Sequence, residues 1–176
     1  MVLGRALDED HVLGIGGATT TLIGLMLPRT VDRALDIGTG CGVQAMHASR
    51  LATTVVATDI SERALRLARF NAELNGINGI EFRHGSLFEP VEGEQFDLIV
   101  TNPPFVITPR REDVPSYEYR DVGLIGDRTV DAVFSRAADH LTPAAVLQLP
   151  GNREYRPPAP GTARVASWAR GSDPWP

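Results

Sequence analysis

Four consecutive residues, Asn102-Pro103-Pro104-Phe105, carry the most specific chemistry in the chain. Paired prolines stiffen the backbone and donate no hydrogen bonds. The Asn102 side-chain oxygen and the Pro103 carbonyl are left as rigid acceptors, spaced to take the two hydrogens of a planar amino or amide group. Phe105 offers an aromatic face on which that plane can stack. Two acceptors drawing on the N–H bonds bias the nitrogen lone pair toward an electrophile. Transfer in such a site depends on alignment more than on a strong base.

Two further constellations lie upstream. In Leu35-Asp36-Ile37-Gly38-Thr39-Gly40-Cys41-Gly42 a strand ends and a helix begins. The glycines let the backbone turn tightly and approach a ligand, and the helix start offers unpaired N–H groups that suit an anion. Asp59 closes the next strand, about twenty positions beyond the first of these glycines, where a carboxylate can accept both hydroxyls of a ribose. To this point a nicotinamide-dependent dehydrogenase is open as well. The bland alternatives are a ligand-free glycine turn and an aspartate that caps the following helix, although Ser61 is the better cap.

These residues need a scaffold that brings strand ends together. From Arg33 to Leu149 short β-branched runs alternate with helical patterns, the form of repeated βα units and of an α/β, doubly wound, mostly parallel sheet in three layers. Strands are expected at Arg33–Ile37, Thr54–Thr58, Ile80–His84, Gln95–Thr101 and Ala145–Leu149. One helix runs from the Ser61 cap through Leu65, Ala68 and Ala72 and stops at Gly76. Another carries Val130, Val133, Phe134, Ala137 and Leu141 on one face, and Thr142-Pro143 is expected to end it. Ahead of the first strand, Gly16-Gly17-Ala18 and Thr19-Thr20-Thr21 open a capped lead-in helix reaching Leu27, within residues 1–31.

The domain so defined covers residues 1–149, and residues 150–176 form a tail rich in Pro, Arg and Gly with no period of 2 or 3.6. The tail is expected to be irregular, and the strands that would complete the sheet are not recognisable in it. A truncated or frame-altered C-terminus is one explanation, which sequencing the gene through Pro150 tests.

A chain of 176 residues closes one core of ordinary size, and 43% hydrophobic with 22% charged residues is the composition of a globular protein. The 22 acidic against 17 basic side chains give a net charge of −5, which argues against tight nucleic-acid binding by bulk charge. Arg110-Arg111 is offset by Glu112 and Asp113 and reads as a solvated loop. No apolar run approaches the ~18 residues of a membrane span. Asp8, Glu9 and Asp10 do not suit a signal peptide, so a cytoplasmic location is expected. The lone Cys41 reads as packing, and His84 and His140 lack metal-ligand spacing, so no metal is expected.

From Arg33 to about Leu149 the chain resembles class I S-adenosylmethionine-dependent methyltransferases of the small-domain type, Rossmann-like in fold. Within them it resembles the HemK/PrmC-like group, which methylates glutamine in release factors. The resemblance rests on the Asp36 to Gly42 loop, Asp59, Gly85-Ser86-Leu87-Phe88-Glu89-Pro90 and the Asn102 to Phe105 signature. It implies S-adenosyl-L-methionine as cofactor. Asp36, Gly38, Thr39, Gly40 and Gly42 would line its methionine part, Asp59 with Ile60 would hold the ribose, and Ser86 with Leu87 would border the adenine. Asn102 would border the cofactor and, with Pro103, Pro104 and Phe105, form the catalytic set that orients the acceptor nitrogen.

Two positions depart from the group: Ser86 stands where aspartate is usual, and Phe105 where tyrosine is commoner. An Asn-Pro-Pro-Phe ending is shared with ribosomal RNA guanine-N2 methyltransferases, and the tyrosine form with adenine-N6 enzymes. The signature therefore names the atom rather than the molecule. Tyr117-Glu118-Tyr119-Arg120-Asp121 and Gly123-Leu124-Ile125-Gly126-Asp127 resemble the loop that follows the signature in the glutamine group, which favours a protein acceptor over nucleic acid. A cofactor-binding chain without turnover is the alternative of another class.

Overall fold

The computed structural model describes residues 11–103 and 128–151. Pro104, Phe105, the Arg110-Arg111 pair, the stretches 117–121 and 123–127 and nearly all of the 150–176 tail lie outside them. The elements, in chain order, are α1 (Gly17–Leu25), β1 (Val31–Ile37), α2 (Val43–Ala48), β2 (Ala52–Asp59), α3 (Glu62–Leu74) and β3 (Ile80–His84). A 3₁₀ turn (Glu89–Val91), β4 (Phe96–Thr101), α4 (Arg128–Ala137), a second 3₁₀ turn (Ala138–His140) and β5 (Leu141–Gln148) follow.

All five strands are parallel, in the order β3-β2-β1-β4-β5. The chain winds outward from β1 to β3, then returns to place β4 on the other side of β1. That reversal opens a crevice at the carboxyl ends of β1 and β4, where ligands bind in such sheets.

Helices cover both faces, which is why β1 reads as a nearly unbroken buried run. On one face Ala34, Val55, Ala57, Leu98 and Val100 pack with Ala45 and Ala48 of α2 and with Met26. On the other, Leu35, Ile37, Val56 and Ile99 meet Phe88, Phe96 and Val133 and Ala137 of α4. Phe88 and Phe96 are fully buried, and each contributes about 1.5–3 kcal/mol in transfer free energy.

Helix α3 follows its sequence pattern closely. The Ser61 hydroxyl accepts from the Ala64 amide at 3.4 Å, the buried face is Ala64, Leu65, Ala68 and Ala72, and Gly76 turns out of the helix at φ +65°. The lead-in helix also forms, although its N-cap, Gly16, makes no side-chain cap bond.

The expected helix end at Thr142-Pro143 is corrected. Helix α4 stops at Ala137, and Leu141, Thr142 and Pro143 already belong to β5. Phe96 opposes Leu141 while Leu98 opposes Val146, so β5 bulges there, with Ala144 at φ +64°. A bulge accommodates a proline that a regular ladder would exclude. Asp97 stitches this end of the sheet: its carboxylate accepts from the Thr142 hydroxyl at 2.6 Å and from the Asp32 and Arg33 amides at 3.1 and 3.0 Å. Among the described residues no helix is long and apolar enough to cross a membrane.

Candidate active site

The four loops singled out in the sequence leave the same edge of the sheet. Ile37 lies in register between Thr58 and Thr101, and Asp59 pairs with His84, so the chain segments after β1, β2, β3 and β4 emerge side by side. They surround a cavity of about 400 Å³, a size that suits a small-molecule ligand. Gly38, Thr39, Gly40, Asp59, Ile60, Ser86, Leu87, Asn102 and Pro103 all line it.

The glycine loop is held by backbone bonds, with the Gly38 and Thr39 amides both donating to the Thr58 carbonyl at 2.9 Å. Gly38 and Gly40 have φ of +68° and +56°, a region that side chains rarely enter. Gly42 does not line the cavity. At φ +88° it lets α2 close onto α3, where a Cβ would stand 2.9 Å from the Ala68 Cβ.

Asp36 also stands behind the cavity wall. It is 1% exposed, and its Oδ2 accepts from the Thr39 hydroxyl at 2.6 Å. Its Oδ1 is buried with no hydrogen-bond partner. Burial pushes its carboxyl up to about 7, against the pull of the Thr39 hydrogen bond. The sequence reading placed both Asp36 and Gly42 on the ligand. In the fold neither lines the cavity: Asp36 bonds the Thr39 hydroxyl and Gly42 seats α2 against Ala68.

Asp59 has a double structural part. Its Oδ2 accepts from the Gly40 amide at 2.8 Å and its Oδ1 from the Ser61 amide at 2.9 Å. The ribose and helix-cap readings are therefore compatible, since each carboxylate oxygen can accept more than one hydrogen bond. Next to it, Gly85 bonds back to the Asp59 carbonyl at 3.0 Å, and a Cβ on Gly85 would lie 2.6 Å from the Pro90 ring. Leu87 takes φ +47°. A non-glycine residue in that region stores strain, and here it lies on the cavity wall. Of the histidines, His84 is exposed, and His140 is buried against Phe88 with its Nδ1 2.9 Å from the Glu94 carbonyl.

Asn102 follows directly on the end of β4. Its Nδ2 donates to Thr19 Oγ1 at 3.5 Å, and its Oδ1 is buried without a partner. The lead-in segment was read only as a helix, yet His11, Val12, Leu13 and the stretch from Gly16 to Thr19 form one wall of the cavity. Gln44 of α2 and Thr129 of α4, both buried and polar, complete it. A run of threonines directly after paired glycines was the available signal for Thr19. Nothing local marked Gln44 or Thr129.

Residues 14–115 match the family model described as methyltransferase small domain. The chain belongs to that family. As a methyltransferase domain it is 47% identical over 75 residues to a release factor glutamine methyltransferase of Aliivibrio fischeri, covering 41% of this chain and 26% of that protein. It is 42% identical over 101 residues to a ribosomal protein L11 methyltransferase of Lactobacillus johnsonii, covering 54% of this chain and 32% of that protein. The chain thus spans about a quarter to a third of these relatives' length. A T. thermophilus 16S rRNA N2 methyltransferase, in complex with AdoMet and guanosine, shares the fold with a TM-score of 0.60 and 24% identity, over 77% of this chain and 34% of that one.

The family depends on S-adenosylmethionine, which removes the dehydrogenase alternative. The methyltransferase domain's own residues fit that cofactor. The cavity has the room, the glycine backbone lies open to it at Gly38 and Gly40, and the Asp59 carboxylate lies on its wall.

Proposed function

We propose that this chain carries the centre of an S-adenosylmethionine-dependent N-methyltransferase whose acceptor is a glutamine side-chain amide of a protein such as a release factor. The observation that carries the reading is the unpartnered, buried Oδ1 of Asn102 beside a cavity lined by the glycine loop and Asp59. A buried acceptor without a donor costs about 1–3 kcal/mol. An amide N–H of the acceptor would supply the missing donor.

When bound, S-adenosylmethionine supplies an electrophilic methyl on a sulfonium sulfur, and transfer to the amide nitrogen releases one proton to solvent. The chain's part is to bind and align. Gly38, Thr39 and Gly40 would hold the methionine end, while Asp59 with Ile60 would take the ribose and Ser86 with Leu87 the adenine. Asn102 Oδ1 and the Pro103 carbonyl would grip the two amide hydrogens, and Pro104 and Phe105 would shape the acceptor side. Aligned acceptors of this kind are worth about 10²–10³ in rate. An acceptor drawn from the translation machinery would place the reaction in the cytoplasm.

A second reading keeps the chemistry and changes the acceptor to an exocyclic amine of ribosomal RNA or DNA, with a flipped base stacked on Phe105. The phenylalanine in the signature favours it. The net charge of −5 favours the protein. Methyl transfer from radiolabelled cofactor to a release factor, sensitive to protease and resistant to nuclease, is the expected result. Incorporation abolished by nuclease would select the second reading, and cofactor binding without transfer to any fraction would select a non-catalytic chain.

A further inference from the structure

We infer that Thr19 is a positioning residue for the transfer: its hydroxyl holds the Asn102 amide so that Oδ1 faces the acceptor. The inference rests on the function proposed above and assigns a part to a residue outside the Asn-Pro-Pro-Phe signature. Thr19 is 9% exposed, lies on α1, and lines the same cavity as Asn102. Its Oγ1 accepts from Asn102 Nδ2 at 3.5 Å, a long bond with room to tighten when the site fills.

An asparagine amide lining a cavity has two orientations that differ by a half-turn. With Nδ2 on Thr19, a single acceptor, Oδ1, is left unpaired. The reverse orientation would bury an amide group whose two N–H donors both lack partners, the costlier arrangement. The Thr19 hydroxyl can bond the amide either way, so the preference comes from the cavity side, where one unpaired acceptor costs less than two unpaired donors, and Thr19 holds the side chain in that orientation. The hydroxyl is itself held from a distance. Helix α1 ends where the Gln148 side chain of β5 accepts from the Leu27 amide at 2.9 Å and donates to the Leu25 carbonyl at 2.8 Å. The C-terminal end of α1 is thus tied to β5.

The test compares Thr19→Val, which keeps the shape and loses the hydroxyl, with Thr19→Ser, which keeps the hydroxyl. Turnover on a release factor is measured with cofactor affinity by calorimetry and with thermal unfolding. A second readout needs no turnover: proton exchange of the Asn102 side-chain amide in the 15N-labelled chain, its resonances assigned by their loss in Asn102→Ala. In Thr19→Val, kcat is expected to fall by about 10- to 100-fold with cofactor Kd within about twofold of wild type. The Asn102 amide should exchange about tenfold faster, and Thr19→Ser should restore both readouts.

Wild-type turnover and wild-type amide exchange in Thr19→Val would overturn the inference and leave the proposed function standing. Failure of Thr19→Ser to rescue would overturn it too, by reducing Thr19 to packing. Full activity in Asn102→Ala, or no transfer to the release factor by the wild type, would instead remove the proposed function, and the amide exchange would still decide what Thr19 does.

Discussion

The Asp59 carboxylate accepts the Gly40 amide at 2.8 Å, so the loops after β1 and β2 are one hydrogen-bonded unit. With its other oxygen Asp59 accepts the Ser61 amide and starts α3. The charge that would meet a ribose also shapes the loop that would meet the methionine. Pre-organisation of this kind lowers the ordering cost of binding.

Replacing Asp59 by alanine should therefore do two things. Affinity for S-adenosylmethionine should fall by about tenfold or more, and stability should fall by about 1–3 kcal/mol, since two bonds from backbone amides to a charged group are lost. Calorimetric titration and urea unfolding of the same preparation separate the effects. Unchanged affinity in a folded Asp59→Ala chain would dismiss the ribose assignment.

Asn102→Ala should separate activity from stability. Turnover should drop by about 10²–10³. The unfolding free energy should stay within about 1 kcal/mol of wild type, because the substitution also removes an unsatisfied buried acceptor. A large loss of stability would mean that Asn102 serves the fold.

Asp36 and Asp97 should shape the pH dependence with opposite signs. The Asp36 carboxyl, raised to about 7 by burial, is protonated more readily in the folded than in the unfolded chain. Its contribution to stability is full below about pH 4 and is lost as pH climbs from there to about 7. Asp97 is held below the usual carboxylate range, first by the Thr142 hydroxyl and then by the Arg33 amide. Its contribution is present above about pH 4 and is lost as pH falls through its folded value. Urea unfolding between pH 3 and pH 8, on a scale of about one pH unit per step, should show Asp36→Asn flattening the neutral limb and Asp97→Asn flattening the acid limb.

Gly42→Ala should cost more than Gly76→Ala. Both glycines have positive φ, but a Cβ at Gly42 meets Ala68 at 2.9 Å, while one at Gly76 meets nothing within 4 Å. Left-handed strain alone is about 1–2 kcal/mol, and overpacking at Gly42 adds about 1–3 kcal/mol. Equal midpoints in urea would contradict the close seating of α2 on α3.

Local patterns made much of this legible in advance. The Ser61 cap, the Gly76 stop and β3 are set by neighbours within a few residues, and they lie where the sequence places them. β5 was misread at its start because Pro143 ordinarily ends a helix, whereas here a bulge paired to β4 absorbs it. The cavity wall supplied by residues 11–19 went unread for another reason. Its contacts are with chain far away in sequence, and long-range contacts leave no period in either partner. Asp36 and Gly42 show the limit of a motif: composition marked the loop, but not which members line the cavity and which lie behind it.

The bonds from Gln148 to Leu25 and Leu27 join positions more than 120 residues apart. The end of the lead-in helix thus has an anchor on β5, the final strand among the described residues, besides the packing of Met26 against β1 and α2. The full shape of the cavity is therefore coupled to the pairing of β5 with β4 as well as to the glycine loop.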